Sequence, residues 1–351
     1  MKIMILSCGG TISHVPNEDG VLESNENSYR SGTFVRILKT AASELDVELS
    51  SKTIINKDSA NFVMEDWKTV SANILKHYDE FDAFIVTHGT DTMGYTAAAV
   101  SFALANLGKP VVFTGAQLSY GLAGTDAVIN LENCLRVITK RPDIVGVYVV
   151  FGTQIISGVR AKKKTEFDYD AFKTNRRFRA LGVIGNEIIF NDQEIIKHAS
   201  YLKPQAKVAS DLIVKNDFTN QVVALSEFPG MSSDLIINMA KTGTRGFILR
   251  SVGDGNPNVA EPNAQYESLR PAFEYLKEHQ IPIIITAQPP NGSATMLHYQ
   301  PAILARELGA VPGNDISIEA AVVKLSWLLA DGKSYKDILK LMQKSLRGEM
   351  S

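Results

Sequence analysis

Four short stretches gather hydroxyls, carboxylates and glycines: Cys8-Gly9-Gly10-Thr11, Asp58-Ser59, Thr87-His88-Gly89-Thr90-Asp91-Thr92 and Thr114-Gly115-Ala116-Gln117. Gly9 and Gly10 let the backbone turn tightly, which leaves N–H groups free for an oxyanion while Thr11 presents a hydroxyl beside them. Read alone, that stretch is a glycine turn with a Thr cap. It is not a dinucleotide fingerprint, because the third glycine and the acidic ribose partner are both missing. In the third stretch a hydroxyl stands next to a carboxylate just ahead of an Ala-rich segment. An N-cap accounts for one such residue, and four are present. A Thr hydroxyl is nearly inert at neutral pH and needs a base or a polarising chain, which a second Thr with a Lys and an Asp can supply. Lys162, Lys163 and Lys164 are expected in a loop after 151–156. Such a run is ordinarily a solvated face; the alternative is that one member is buried and functional. The chemistry within reach of this set is acyl transfer.

These stretches need a scaffold that brings them to one edge. Hydrophobic periodicity predicts strands over 2–6, 53–56, 82–86, 110–113 and 145–151, and helices over 32–45, 65–78, 94–107 and 126–138. Alternation at this spacing implies right-handed crossovers and a mostly parallel sheet covered on both faces. In such a sheet ligands bind beyond the carboxyl ends of the strands, where all four stretches fall. Between 191 and 217 polar residues gather with Pro204 and the pattern lapses. The expected organisation is a larger N-terminal α/β/α domain over 1–195, a linker over 196–217 and a smaller α/β/α domain over 218–351. In the second domain strands are expected over 222–225, 246–249 and 282–286, with helices over 232–240, 265–279, 301–308, 318–329 and 335–346.

Composition narrows the partners. With 36 basic and 38 acidic residues the net charge is -2, so nothing asks for nucleic acid or an anionic membrane. No apolar run is long enough for a membrane span or a signal peptide, so a cytoplasmic protein is expected. Two cysteines, Cys8 and Cys134, are too few for a disulfide framework or a thiolate zinc site. Neither paired-His metal spacing nor a phosphate-binding P-loop occurs.

Taken in order, Cys8 to Ile12, Asp58-Ser59, His88 to Met93, Thr114 to Gln117 and Arg160 to Phe172 resemble the bacterial-type L-asparaginases, especially the cytoplasmic type I branch. The resemblance extends to Leu249-Arg250-Ser251, Gly253 to Asn256 and the stretch from Asp315 to Leu325. It implies hydrolysis of the side-chain amide of L-asparagine to L-aspartate and ammonia, with no metal or organic cofactor. Thr11 then resembles the nucleophile, and Thr90, Asp91 and a lysine resemble the second catalytic constellation. Counting back from Asp170-Ala171-Phe172 favours Lys163, with Lys164 as runner-up. Asp58 and Ser59 match the pair that binds the α-amino and α-carboxylate end, with Asp91 also on the ammonium. Backbone N–H groups of Gly10 and of Gly89 or Thr90 serve the oxyanion, Ala116 is a further substrate contact, and Asn256 resembles a residue given by a neighbouring subunit. A homodimer or homotetramer follows from the resemblance.

The sequence also departs from the family. Cys8 stands where the family has Thr, Val21 where the lid usually carries Tyr, and Ser119-Tyr120-Gly121 where a Pro is usual. Tyr29 is the one nearby candidate to replace the lid hydroxyl. Two further readings stay open: an amidohydrolase for glutamine, a D-amino-acid amide or a larger amide, and an amino-acid sensor of little or no turnover. A tRNA-dependent amidotransferase subunit is less expected, since the chain begins at its first strand.

Overall fold

The computed structural model describes residues 1–13, 15–16, 22–23, 33–120, 122–174, 179–202, 212–261 and 267–351, with backbone alone at 15–16, 22–23 and 33–34. Two compact α/β units make up the chain, one formed by Met1–Thr174 and Phe178–Asn216, the other mainly by Asp217–Ser351.

The first unit is built on a sheet whose middle is an unbroken apolar block. Its strands are β1 (Lys2–Gly9), β2 (Glu48–Lys57), β3 (Ala83–Thr87), β4 (Pro110–Thr114), β5 (Gly146–Phe151) and β6 (Gln154–Ser157), with β9 (Gly182–Ile184) and β10 (Ile188–Phe190) at one edge. The order is β10-β9-β6-β5-β4-β3-β1-β2. From β2 to β5 the strands run parallel, and β6, β9 and β10 are antiparallel additions. Every residue of β3, β4 and β5 is buried, as a sheet covered on both faces requires.

Alternation divides β1 between two cores. Ile3 and Ile5 face a core shared with Leu38, Leu131, Leu135 and Ile138, while Met4, Leu6 and Cys8 face another with Val70, Ile74, Met93 and Val100. The helices are α1 (Thr33–Ile37), α2 (Lys39–Glu44), α3 (Met64–Lys76), α4 (Met93–Ala103), α5 (Ala127–Lys140) and α6 (Asp192–Leu202). Three observations differ from the sequence reading. The helix expected over 32–45 is broken at Leu38, which is wholly buried between α1 and α2. The lysine run lies on a hairpin rather than in a loop: β7 (Lys162–Lys163) pairs antiparallel with β8 (Phe172–Lys173). The stretch read as a linker opens with α6, whose Ile195 and His198 are buried.

The second unit has a four-stranded parallel sheet, β11 (Val222–Ser226), β12 (Gly246–Ser251), β13 (Ile283–Ala287) and β14 (Val311–Pro312) in that order. Phe247, Leu249, Ile283 and Ile285 pack with Ile236, Phe273 and Leu276, which come from α7 (Ser233–Lys241) and α8 (Arg270–Glu278). The α8 start expected at 265 falls outside the described residues. The chain continues through α9 (Gln300–Glu307), α10 (Ile318–Ala330) and α11 (Tyr335–Met342). No helix among the described residues is long and apolar enough to cross a membrane.

Candidate active site

In register across the sheet, Ser7 stands opposite Thr87 and Thr87 opposite Thr114, so β1, β3 and β4 deliver their carboxyl ends to one line. The loops that leave these ends are packed so closely that only glycine fits. Gly10, at φ +82°, would place a Cβ 2.3 Å from the Cα of Gly89, and a Cβ on Gly89 would lie 2.5 Å from Ser59 Oγ. His88 N–H donates to the Thr114 carbonyl at 2.9 Å and Gly115 packs against the His88 carbonyl, so all four polar stretches are in direct contact, and the glycines are what permits it. Thr11 opens a 3-10 turn, Thr11–Ser13, whose Ser13 N–H and hydroxyl both donate to the Gly10 carbonyl at 2.8 and 3.0 Å. Its side chain is half-buried.

Thr90 and Asp91 sit at the amino end of α4, where a carboxylate is favoured by the helix dipole. Thr92 is the N-cap residue, yet its hydroxyl makes no cap bond and donates instead to the carbonyl of Ser59 at 2.8 Å. The two loops are thereby tied. Lys163 reaches over from the hairpin: its ammonium donates to Thr90 Oγ1 at 2.8 Å and to Asp91 Oδ1 at 2.6 Å. Thr90 is 7% exposed. Alternation along β7 turns Lys162 from the face that Lys163 uses, and Lys164, just beyond the strand, donates its backbone N–H to the Ala171 carbonyl.

Asp58 caps the 3-10 turn Ser59–Asn61, its Oδ1 accepting from Ala60 N–H at 2.8 Å, and Ser59 is buried. Ala116 is buried in the fourth loop, which is held by a carboxylate outside the four motifs. Asp126 accepts from the N–H groups of Gln117 and Leu118 and from Asn130 Nδ2, all at 2.9–3.0 Å. Asp170 does the same for the turn after β5, accepting from Thr153 N–H at 2.7 Å and from its hydroxyl. The only sequence signal for Asp126 is an Asp beside Gly and Thr, which many turns share, whereas Asp170 entered the sequence reading only as a landmark for the lysine. Asn256 belongs to the second unit, where its N–H donates to Val252 at 3.0 Å and its Oδ1 is buried without a hydrogen-bond partner among the described residues. Val21, Tyr29 and Gly121 lie outside the described residues. Among those described, no three His, Cys, Asp or Glu side chains are grouped to hold a metal.

Beneath the loops His88 is fully buried, with Nδ1 2.8 Å from the Gly89 carbonyl, so that nitrogen carries the proton and Nε2 has no partner among the described residues. Burial pushes its pKa down to about 4, and His198 is pushed down to about 4 for the same reason. The sign follows by linkage. Between about pH 6.5 and 4 the unfolded chain binds protons at these sites and the folded chain does not, so stability falls as pH falls through that window. Each histidine should contribute on the order of 1 kcal/mol per pH unit there. Urea unfolding at pH 7 and pH 5 should show the loss, and His198→Leu should flatten it; an unchanged slope would refute the assignment.

Against known families, residues 2–196 match the asparaginase N-terminal model and 221–342 the glutaminase/asparaginase C-terminal domain. The chain belongs to the asparaginase family. Relatives span the whole of this hydrolase: L-asparaginase 1 of Escherichia coli is 29% identical, covering 100% of this chain and 98% of its own. The solved L-asparaginase I of Vibrio cholerae superposes with a TM-score of 0.81 at 28% identity, over 100% and 99% of the two chains. A glutamyl-tRNA(Gln) amidotransferase component of Aeropyrum pernix is 28% identical over 100% of this asparaginase-family chain and 79% of its own. A common fold and family thus carry more than one named role.

Proposed function

We propose that the protein is an L-asparaginase that works through Thr11 and a covalent acyl intermediate. The observation that carries this reading is the chain Asp91–Lys163–Thr90, hydrogen-bonded at 2.6 and 2.8 Å beside the glycine contact that precedes Thr11. In the first step Thr11 Oγ bonds to the side-chain carbonyl carbon, its proton passes to the amide nitrogen, and the C–N bond breaks to release ammonia. In the second, water attacks the ester, Thr90 and Lys163 take part in moving its proton, and aspartate leaves Thr11 free. Asp58, Ser59 and Asp91 hold the two charged ends of the amino acid, which fixes the carbonyl that meets Thr11. N–H groups of Gly10 and Gly89 serve the oxyanion, each well-placed donor being worth about 3–4 kcal/mol. The active form in this reading is a cytoplasmic homodimer or homotetramer that uses no cofactor.

Ammonia release from L-asparagine, L-glutamine and their D-enantiomers tests it. L-Asparagine should be the best substrate by at least about tenfold, since one methylene in a fitted site is worth roughly 1–3 kcal/mol. A preference for another amide would move the reading within the family. No ammonia from any of them, with asparagine still bound in calorimetry, would make the protein a sensor.

A further inference from the structure

The groups that would face substrate stand on loops, and one ion pair joins the two ends of the loop that carries Asp58 and Ser59. Asp58 and Ser59 lie in the connection from β2 to α3, and the bonds within it are local. Ala60 N–H donates to Asp58 Oδ1 at 2.8 Å, Asn61 N–H to the Asp58 carbonyl at 3.0 Å, and Phe62 N–H to the Ser59 carbonyl at 3.1 Å. These shape the turn, and the Thr92 hydroxyl ties its Ser59 carbonyl to the start of α4. A second anchorage comes from Asp66, in the first turn of α3 and 8% exposed. Through a single oxygen, Oδ2, Asp66 accepts from Val63 N–H at 2.7 Å and from the Lys57 ammonium at 2.7 Å. The bond to Val63 closes a helix start, as an Asp at that position commonly does. The bond to Lys57 is additional, and it joins the residue before the turn to the helix after it.

Lys57 packs against the Gly9 loop and reaches the His88 loop through Phe62. Its backbone N and O stand 2.8 and 2.6 Å from where a Cβ on Gly9 would be, so it packs directly under the glycines that lead to Thr11. Its ammonium lies 5.6 Å from the centre of the Phe62 ring, and that ring is 4.3 Å from the ring of His88, which carries Gly89 and Thr90. We propose that the Lys57–Asp66 ion pair is a positioning device that sets Asp58 and Ser59 at their distance from Thr11 and Thr90. The inference rests on the function proposed above for those residues. A charge-assisted bond of this length is among the stronger ones a protein makes.

Asp66→Asn keeps the shape and an acceptor for Val63 while removing the charge that Lys57 answers; Lys57→Met removes the other partner. Amide hydrogen exchange without any ligand should become about tenfold faster at Ala60, Asn61 and Phe62 in both variants and stay unchanged at Ile5 and Ile85. For asparagine, KM should rise about tenfold and kcat fall less than about threefold, with Lys57→Arg restoring both, because uniform binding is what is lost. The double variant should be no worse than either single one. Unchanged exchange at the turn, or KM losses that add in the double variant, would overturn the inference. A parent protein that releases no ammonia would overturn the proposed function alone, and the exchange measurement then decides the positioning by itself.

Discussion

Thr11→Ala should lower asparagine turnover by about 10³-fold or more, an increase of at least about 4 kcal/mol in the barrier, while leaving the folded state intact. The side chain is half-buried on a 3-10 turn and adds no methylene to either core of the first unit, so its loss opens no cavity there. Lys163→Met and Thr90→Ala should each cost a similar factor. Lys163 is the one cation within hydrogen-bond distance of both Thr90 Oγ1 and Asp91 Oδ1 among the described residues, and a methionine keeps its stem while removing that link. Residues that act as one unit are not additive. Pairing Thr11→Ala with Lys163→Met should therefore be no worse than the more damaging single change. Steady-state ammonia release, with circular dichroism as the folding control, checks the set. If Lys163→Met retains a rate within about threefold of the parent, the polarising chain is not part of catalysis.

The strand ends were legible because a buried parallel strand is an apolar run, and the polar residues at its carboxyl end stand out against it. Thr87 to Thr92 after β3 and Thr114 to Gln117 after β4 are of this kind. Strand β2 was harder to read. It runs over the ten residues Glu48–Lys57 and not 53–56 alone, because Glu48 to Lys52 is a half-exposed edge whose polar residues hide the pairing with β1 that makes it a strand. The antiparallel strands β6, β9 and β10 are short, and Val183 and Ile189 are exposed, so no two-faced apolar signal marks them. In α6 a single buried stripe, Ile195 and His198, was too thin to outweigh the charged residues around it.

Site chemistry divides in the same way. Residue types single out Thr90 and Asp91, since one turn there holds more hydroxyls and carboxylate than a cap needs, whereas Thr11 reads alone as a cap and is marked by the family resemblance. Which of three consecutive lysines is turned toward Thr90 depends on the pairing of Lys163 with Phe172, a relation between residues that sequence order does not state. The carboxylates of Asp66 and Asp126 serve N–H groups of neighbouring loops, and an aspartate near a helix start looks the same whether it caps that helix or holds something else. Residue type thus marks the groups expected to meet substrate and leaves unmarked those that hold them.

In the second unit, Glu349→Ala should be the most destabilising single substitution, by about 3–5 kcal/mol, because it strands a charge. Lys324, on α10, is wholly buried, and its ammonium lies 2.6 Å from Glu349 Oε1 and donates to the Lys344 carbonyl at 2.6 Å. Glu349 is wholly buried too, and its carboxylate also accepts from the N–H groups of Leu346 and Arg347 at 2.7–3.0 Å. Burial opposes its ionisation, but the Lys324 charge and these donors outweigh burial and hold the carboxyl below its ordinary value. The pair fastens the segment from Leu346 to Ser351, whose far end is held by Ser351 N–H and hydroxyl donating to Asp315 at 2.9 and 2.5 Å. Removing one partner leaves an uncompensated ion in a dry core, whereas removing both removes the penalty as well. Calorimetry should show the transition of this unit falling by on the order of 10 °C in Glu349→Ala, and Lys324→Met with Glu349→Leu should recover most of that loss. A double variant as unstable as the single one would mean that the fastening of the segment, and not the stranded charge, sets the cost.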